Sequence, residues 1–286
     1  MRAPDIFPSF DLFRSVCRSG LSVVRPLAPT AREADAWGWN FGSAKPPSYW
    51  AYGRMRALLA LAEAAKVNPG RVLEVAAGDA ALSACLERQG ARAVANDMRK
   101  EVLCQALANF TNGSFISVVP GNLFDLDPVE LGQFDLVIAC EIIEHVAHPD
   151  QFLSHLKKFM APEGRMLLTT PNGSFFRSHL QTYSDVEDTT ALEQHQFLPD
   201  ADGHLFLITP EEMLSLAASA GLRVERLTVW GTPFLSGSAG FAHLAPILPM
   251  RLSYLAEACC QRLPAGLRNR LANSVSILLR RSDVED

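Results

Sequence analysis

"RVLEVAAGDA", residues 71–80, decides the fold. Val72, Leu73 and Val75 make a short apolar run of the kind found in a strand buried on both faces. The run breaks at once into Ala76, Ala77, Gly78, Asp79 and Ala80, a loop nearly stripped of side chains. The next stretch, "ALSACLERQG" (81–90), sets Leu82, Cys85 and Leu86 at helical spacing. A strand that passes through a bare loop into a helix lets a ligand approach the backbone closely and offers it the N–H groups of the helix N-terminus. A carboxylate inside such a strand, Glu74, calls for a partner.

Working outward, strand-like runs alternate with helical patterns. Strands are expected at 71–75, 91–96, 114–119, 134–140, 164–170, 223–230 and 273–281, and helices near 49–66, 79–89, 99–110 and 149–160. Thr209-Pro210-Glu211-Glu212 has the form of a capping box with proline at the first helical position, so another helix runs from there towards Gly221. This alternation implies an α/β domain on a parallel, doubly wound sheet covered on both faces. Residues 1–47, rich in proline and aromatic side chains, read as an extension ahead of one domain spanning 48–286. Two stretches interrupt the alternation. One is 172–208; the other is 234–271, where Pro246, Pro249 and Pro264 surround the amphipathic "MRLSYLAEACCQRL" (250–263).

With 48% hydrophobic and 20% charged residues, the 286-residue chain can bury a sizeable core. A net charge of −5 and a pI of about 5.8 leave no global basic field for nucleic acid. The six cysteines include no C-x-x-C pair, and Cys85, Cys104 and Cys140 sit inside apolar patterns, as reduced, buried thiols of a cytoplasmic protein would. The N-terminal stretch lacks a continuous apolar h-region, so no signal peptide is expected. No run of about 18 uncharged apolar residues suggests a membrane span.

In a doubly wound sheet, ligands bind beyond the carboxyl ends of the strands at the switch point. At the first strand end stand Ala76 and Gly78. At the second, "AVAND" closes on Asp97, followed by Met98; an acidic residue about 20 residues past the glycine loop suits a ribose diol. After the third comes "PGNLFDL" (120–126), where Asn122 suits an adenine amino group and Leu123 its face. The fourth gives "CEIIEHVAHPDQF" and the fifth "LLTTPNGSFF". A nicotinamide-binding domain would need G-x-G-x-x-G for the pyrophosphate, and "AAGDAAL" holds one glycine.

In this order and spacing, these pieces resemble the class I S-adenosylmethionine-dependent methyltransferases over about residues 50–230. The most specific piece is "FDLVIACEIIEHVAHP" (134–149) followed by "GRMLLTTPN" (164–172), in the manner of the ubiquinone-pathway O-methyltransferases and their relatives in secondary metabolism and glycan modification. The resemblance implies a seven-stranded Rossmann-like sheet, mostly parallel with the last strand antiparallel, and S-adenosylmethionine as cofactor. It places the bare loop under the methionine part, with Glu74 beneath it holding backbone or ammonium, and Arg56 (or Arg54) on the cofactor carboxylate. Ala76 and Ala80 stand where the family usually has glycine, and Asn122 where aspartate is frequent.

Methyl transfer from a sulfonium needs alignment and a base for the nucleophile's proton. Candidate bases are His145, Glu144 and His148, with His179, His195 and His204 in later loops. Glu141, Glu144 and His145 are spaced i, i+3, i+4, one face of a helix if the chain turns helical after the fourth strand. With His204 they make a candidate set for Mg²⁺ or another divalent cation, a feature linked to the same pattern in the relatives. Glu141 is also a candidate cofactor contact. Residues 172–208, with Phe175, Phe176 and Phe197, are expected to bind the acceptor together with the N-terminal extension as a lid. The expected partners are a small-molecule or glycan acceptor and a second copy of the chain. Two other readings stay open: a terminal-ribose RNA 2′-O-methyltransferase, which the acidic pI opposes, and a cofactor-binding regulator without catalysis.

Overall fold

The computed structural model describes residues 47–283, apart from 79, 102, 104–115, 197–202, 242–243 and 245–247. The expected N-terminal lid, Asp79, Phe197 and most of the 99–110 helix lie outside these residues, as does the side chain of Arg54. The elements are α1 (Pro47–Val67), β1 (Arg71–Val75), α2 (Ala81–Arg88), β2 (Arg92–Asp97), β3 (Ser117–Pro120), β4 (Phe134–Cys140), α3 (Pro149–Lys157), β5 (Met160–Pro171), α4 (Pro210–Ser219), β6 (Leu222–Trp230), α5 (Met250–Cys260), α6 (Ala265–Leu271) and β7 (Ser274–Arg281). The seven strands form one sheet in the order β3-β2-β1-β4-β5-β7-β6. The first five run parallel, and β7 lies antiparallel to both β5 and β6.

The pleat divides the core in two. Leu73, Val75, Val137 and Ala139 join Phe152 and Leu156 of α3 and Met213 and Leu216 of α4. Val72, Leu136 and Ile138 point the other way, against Ala57 and Leu61 of α1 and Leu82 and Leu86 of α2. That is why the strands read as continuous apolar runs: both faces are covered. The capping box forms as expected: the Thr209 hydroxyl accepts the Glu212 N–H at 3.1 Å, and the Glu212 carboxylate accepts the Thr209 N–H at 2.7 Å.

Most boundaries fall within two residues of expectation, and the helix expected over 149–160 ends at Lys157. α2 begins at Ala81 rather than 79, and β5 begins at Met160, four residues ahead of the expected 164. Pro162-Glu163-Gly164 reads as a turn, but Met160 already pairs with Phe134 before the register slips and Arg165 takes up Leu136. Of the described cysteines, Cys85 and Cys260 are buried, whereas Cys140 is only partly so and Cys259 is exposed.

The insertion between β6 and β7 stands at the edge of the sheet that carries the C-terminal ends of the parallel strands, because Ser274, which opens β7, registers with both Pro171 and Trp230. The buried Glu257 of α5 fastens it there by accepting the N–H groups of Gly231 at 3.0 Å and Thr232 at 2.8 Å.

Candidate active site

The strand order reverses between β1 and β4, and the loops leaving those strands flank the switch point. In the β1–α2 loop Ala76 (φ 51°), Gly78 (φ 53°) and Ala80 (φ 52°) all adopt the left-handed conformation. A Cβ placed on Gly78 meets no atom within 4 Å, so the loop's outer side is a cradle that a side chain would begin to fill and a bound ligand can occupy. Gly121, after β3, is open in the same way.

A left-handed backbone costs a residue with a Cβ roughly 1–2 kcal/mol, while glycine there carries about 0.5–1 kcal/mol of extra chain entropy. Ala76→Gly is therefore expected to raise unfolding stability by about 0.5–1 kcal/mol. Ala80 is buried at 1% exposure, and losing its methyl forfeits about 0.8 kcal/mol. Ala80→Gly should leave stability within about 0.5 kcal/mol of the parent. Urea titrations of the two variants check the difference.

Glu74 acts on α2. Its Oε2 accepts the backbone N–H of Ser83 at 2.8 Å and the Ser83 hydroxyl at 2.5 Å. Ala80, at the N-cap, has no side chain to offer the first turn, and the strand's carboxylate takes over that duty. Of the two roles implied for Glu74, holding backbone is the one seen. Asp97 stands across from the same loop: its Oδ2 accepts the Gly78 N–H at 2.9 Å and its Oδ1 the Arg99 N–H at 2.9 Å. Oδ1 also accepts the Arg99 Nε–H at 3.4 Å, so the second acceptor site that remains is on Oδ2.

At the end of β3, the Asn122 side chain accepts the Phe124 N–H at 3.1 Å and caps a short 3₁₀ turn, Leu123–Asp125. Leu123 turns inward at 5% exposure and joins the core, so it does not offer its face to a ring; the apolar surface at these strand ends belongs to Met98 (46% exposed) and Phe124 (38%). Phe124 packs on His155, whose Nε2 lies 3.0 Å from the Leu123 carbonyl. Asn96 is buried and donates its amide to the carbonyls of Val119 and Gly121, tying β2 to the β3 loop. Phe124, His155 and Asn96 carry no local sequence signal; their roles appear only once strand register is known.

After β4 the chain does not turn straight into a helix. Glu141 takes φ 53°, and a 3₁₀ turn follows at Ile143–His145. This parts the Glu141 carboxylate from the other candidates: Oε1 accepts the Thr169 hydroxyl at 2.7 Å, and Oε2 lies 3.4 Å from Arg56 of α1. Arg56, expected on a cofactor carboxylate, is thus paired within the protein.

Glu144, His145 and His204 do come together, with one ligand atom from each within 4.8 Å of the others. Glu144 is fully buried. Its Oε2 accepts the Thr170 hydroxyl at 3.0 Å, and its buried Oε1 lacks a hydrogen-bond partner among the described residues. Burial, and then the neighbouring Glu141 charge, hold the Glu144 carboxyl well above the usual carboxylate range. Burial and then the nearby His145 lower the His204 imidazole. The His145 Nδ1 faces the Gly203 carbonyl at 3.0 Å, and a carbonyl only accepts, so Nδ1 carries a proton and donates, and Nε2 is the ring atom turned to other partners. An orphaned buried carboxyl oxygen beside two imidazoles suits a divalent cation, whose charge would relieve the penalty that raises Glu144.

The 172–208 stretch is stitched over this strand end. Leu205 N–H donates to the Glu144 carbonyl at 3.0 Å, the His145 and His204 rings meet edge to face at 5.0 Å, and Ala147 N–H donates to the Gln196 side chain at 2.8 Å. His148 is spent on this stitching, 2.7 Å from Glu193, and His179 and His195 are exposed away from any such cluster. The described residues of 172–208 include two short 3₁₀ helices, Tyr183–Asp185 and Thr190–His195.

A family model described as a methyltransferase domain matches residues 49–227. The ubiquinone biosynthesis O-methyltransferase of Xanthomonas axonopodis pv. citri is 28% identical over 165 residues, 56% of this chain and 66% of that protein. The protein of the same name from a Caulobacter species is 33% identical over 103 residues, 36% of this chain and 41% of that one. The matched part therefore spans less than two thirds of these relatives. Among solved structures, the magnesium protoporphyrin IX methyltransferase of Synechocystis with bound S-adenosylhomocysteine superposes with a TM-score of 0.50 at 14% identity, covering 96% of this chain and 94% of that one, a likeness of fold. The family match takes in the ends of β1 to β5, from the bare loop to the Glu144 cluster, and the chain belongs to the methyltransferase-domain family, in its class I, S-adenosylmethionine-dependent form.

Proposed function

We propose that the protein transfers the methyl group of S-adenosylmethionine to a hydroxyl of a small-molecule or glycan acceptor. The observation that carries this reading is the gathering of Glu144, His145 and His204 at the end of β4, across the switch point from the open loop at Gly78. The named relatives, both O-methyltransferases, support oxygen as the nucleophile. Asp97 and the loop 76–80 hold the cofactor's ribose and methionine part. The acceptor oxygen attacks the methyl carbon in line, the carbon–sulfur bond breaks, and the sulfonium becomes a neutral thioether. His145 takes the hydroxyl proton on Nε2 while its Nδ1–H stays on the Gly203 carbonyl. The described residues of 172–208 form the acceptor wall and keep water from the cleft. Where Glu144, the His145 Nε2 and His204 instead hold a divalent cation, it would lower the acceptor's pKa and orient it, and His145 would then serve as a ligand in place of the base.

Calorimetry with S-adenosylhomocysteine followed by a radiolabel-transfer screen over phenols, sugars and RNA tests the reading. Binding and label in a hydroxylated small molecule are expected; absence of cofactor binding would sink it, and label in RNA alone would replace the acceptor class. Exhaustive chelation is expected to lower turnover several-fold, with recovery on Mg²⁺ or Mn²⁺. Full activity after chelation would leave Glu144 and His145 as an acid–base pair without a cation.

A further inference from the structure

α5 shows two unlike faces. Ser253, Glu257, Cys260 and Gln261 are buried against the body of the domain. Leu252 and Leu255 point away from it, 50% and 54% exposed, and Cys259 continues the same face at i+7. Leu267, on α6, is 49% exposed as well. Single exposed leucines are ordinary; several in one short insertion, repeating along a helix face, mark a surface made to meet something.

The charge around this face narrows the choice. Residues 233–273 hold four arginines (251, 262, 268 and 270) and one acidic residue, Glu257, in a chain of net charge −5. Glu257 is fully buried, so the described charge that this insertion shows to solvent is cationic, from Arg262 and Arg270. A second copy docked face to face would set arginines against arginines. Residues 1–46 carry six basic and four acidic side chains and supply no complementary charge either. An apolar helix face flanked by arginine matches an anionic bilayer: leucines enter the headgroup boundary and guanidinium groups pair with phosphates. No described helix is long and apolar enough to cross a membrane.

We propose that α5 and α6 dock the protein peripherally on an anionic lipid surface. The insertion borders the acceptor side of the cleft. The Asn172 side chain at the end of β5 donates to the Asn269 and Ala272 carbonyls, both at 2.7 Å, and the Phe176 N–H donates to the Arg270 carbonyl at 3.0 Å. Resting on the functional reading above, the consequence is that an amphiphilic acceptor reaches the cleft from the bilayer rather than from water.

The test is co-sedimentation of the full chain with phosphatidylcholine vesicles, with and without phosphatidylglycerol. Binding is expected only to the anionic vesicles, weakened by salt. Leu252→Ser with Leu255→Ser should reduce it roughly ten-fold or more, and Arg262→Gln with Arg270→Gln should do the same. Both variants change exposed side chains, and calorimetry with S-adenosylhomocysteine checks that each keeps its fold. No binding of the parent to anionic vesicles overturns the proposal, as does unaltered binding by both variants. A parent that ignores vesicles but loses a dimer on the leucine substitutions hands the face to a second copy. Because vesicle binding is read without cofactor, its failure leaves the methyl-transfer reading standing.

Discussion

Asp97→Ala is expected to weaken S-adenosylhomocysteine binding by roughly 10- to 150-fold, the equivalent of losing about 1.5–3 kcal/mol of hydrogen bonding to a charged group. The size follows from a double duty. The carboxylate is buried at 5% exposure, and it already fixes the Gly78 N–H with one oxygen and the Arg99 N–H with the other. A ribose hydroxyl would take the acceptor site that remains on Oδ2, so alanine removes the ligand contact and releases the loop together. Asp97→Asn keeps an acceptor oxygen but loses the charge, and should fall between parent and alanine. Calorimetry at matched ionic strength measures both, with far-UV circular dichroism expected to stay native. An unchanged dissociation constant for the alanine variant would remove Asp97 from the cofactor site.

Gly164→Ala should be among the most destabilising single methyl additions in the chain. A Cβ at this position would lie 2.7 Å from the Phe134 carbonyl oxygen and 2.9 Å from the Ala161 nitrogen, and both are backbone atoms in the slipped register between β4 and β5. Flexible side chains can step aside; paired backbone cannot. A loss of about 2–3 kcal/mol is expected, lowering the melting temperature by roughly 5–10 °C. Gly266, where nothing lies within 4 Å, is the internal control; inside α6, alanine there should leave stability unchanged or slightly raised. Equal melting temperatures for the two variants would contradict the packing described at Gly164.

How far the sequence could be read depended on the range of the signal. The bare loop at 76–80, Asp97 at its strand end and the capping box at Thr209 are local patterns, and each stands where its pattern put it. Glu144 and His145 were legible as neighbours, and His204 as a distant companion. Glu141 was not separable from them by spacing, because the left-handed turn that swings it towards Arg56 falls on a residue that is not glycine. Arg56 read as a cofactor contact because its partner lies far along the chain. Leu123 read as exposed since its position, not its direction, follows from the motif. Asn96, Ser83 and His155 act through bonds that exist only after β1, β2 and β3 take their register and α2 and α3 pack on the sheet. The early start of β5 was masked by Pro162-Glu163-Gly164, whose turn chemistry is real but is absorbed by an irregular pairing.

The place of β7 bears on how the chain is made. It is the seventh of the seven described strands along the sequence, yet it lies between β5 and β6 and joins them in the sheet. Until residues 274–281 clear the exit tunnel, one edge of the β1–β5 sheet and one edge of β6 stay unpaired, each a template for a foreign strand. The nascent chain can assemble β1 to β5 as they emerge, but closing the sheet waits for residues 274–281. A stalled polypeptide ending before residue 274 exposes both edges at once and is the species a chaperone must hold.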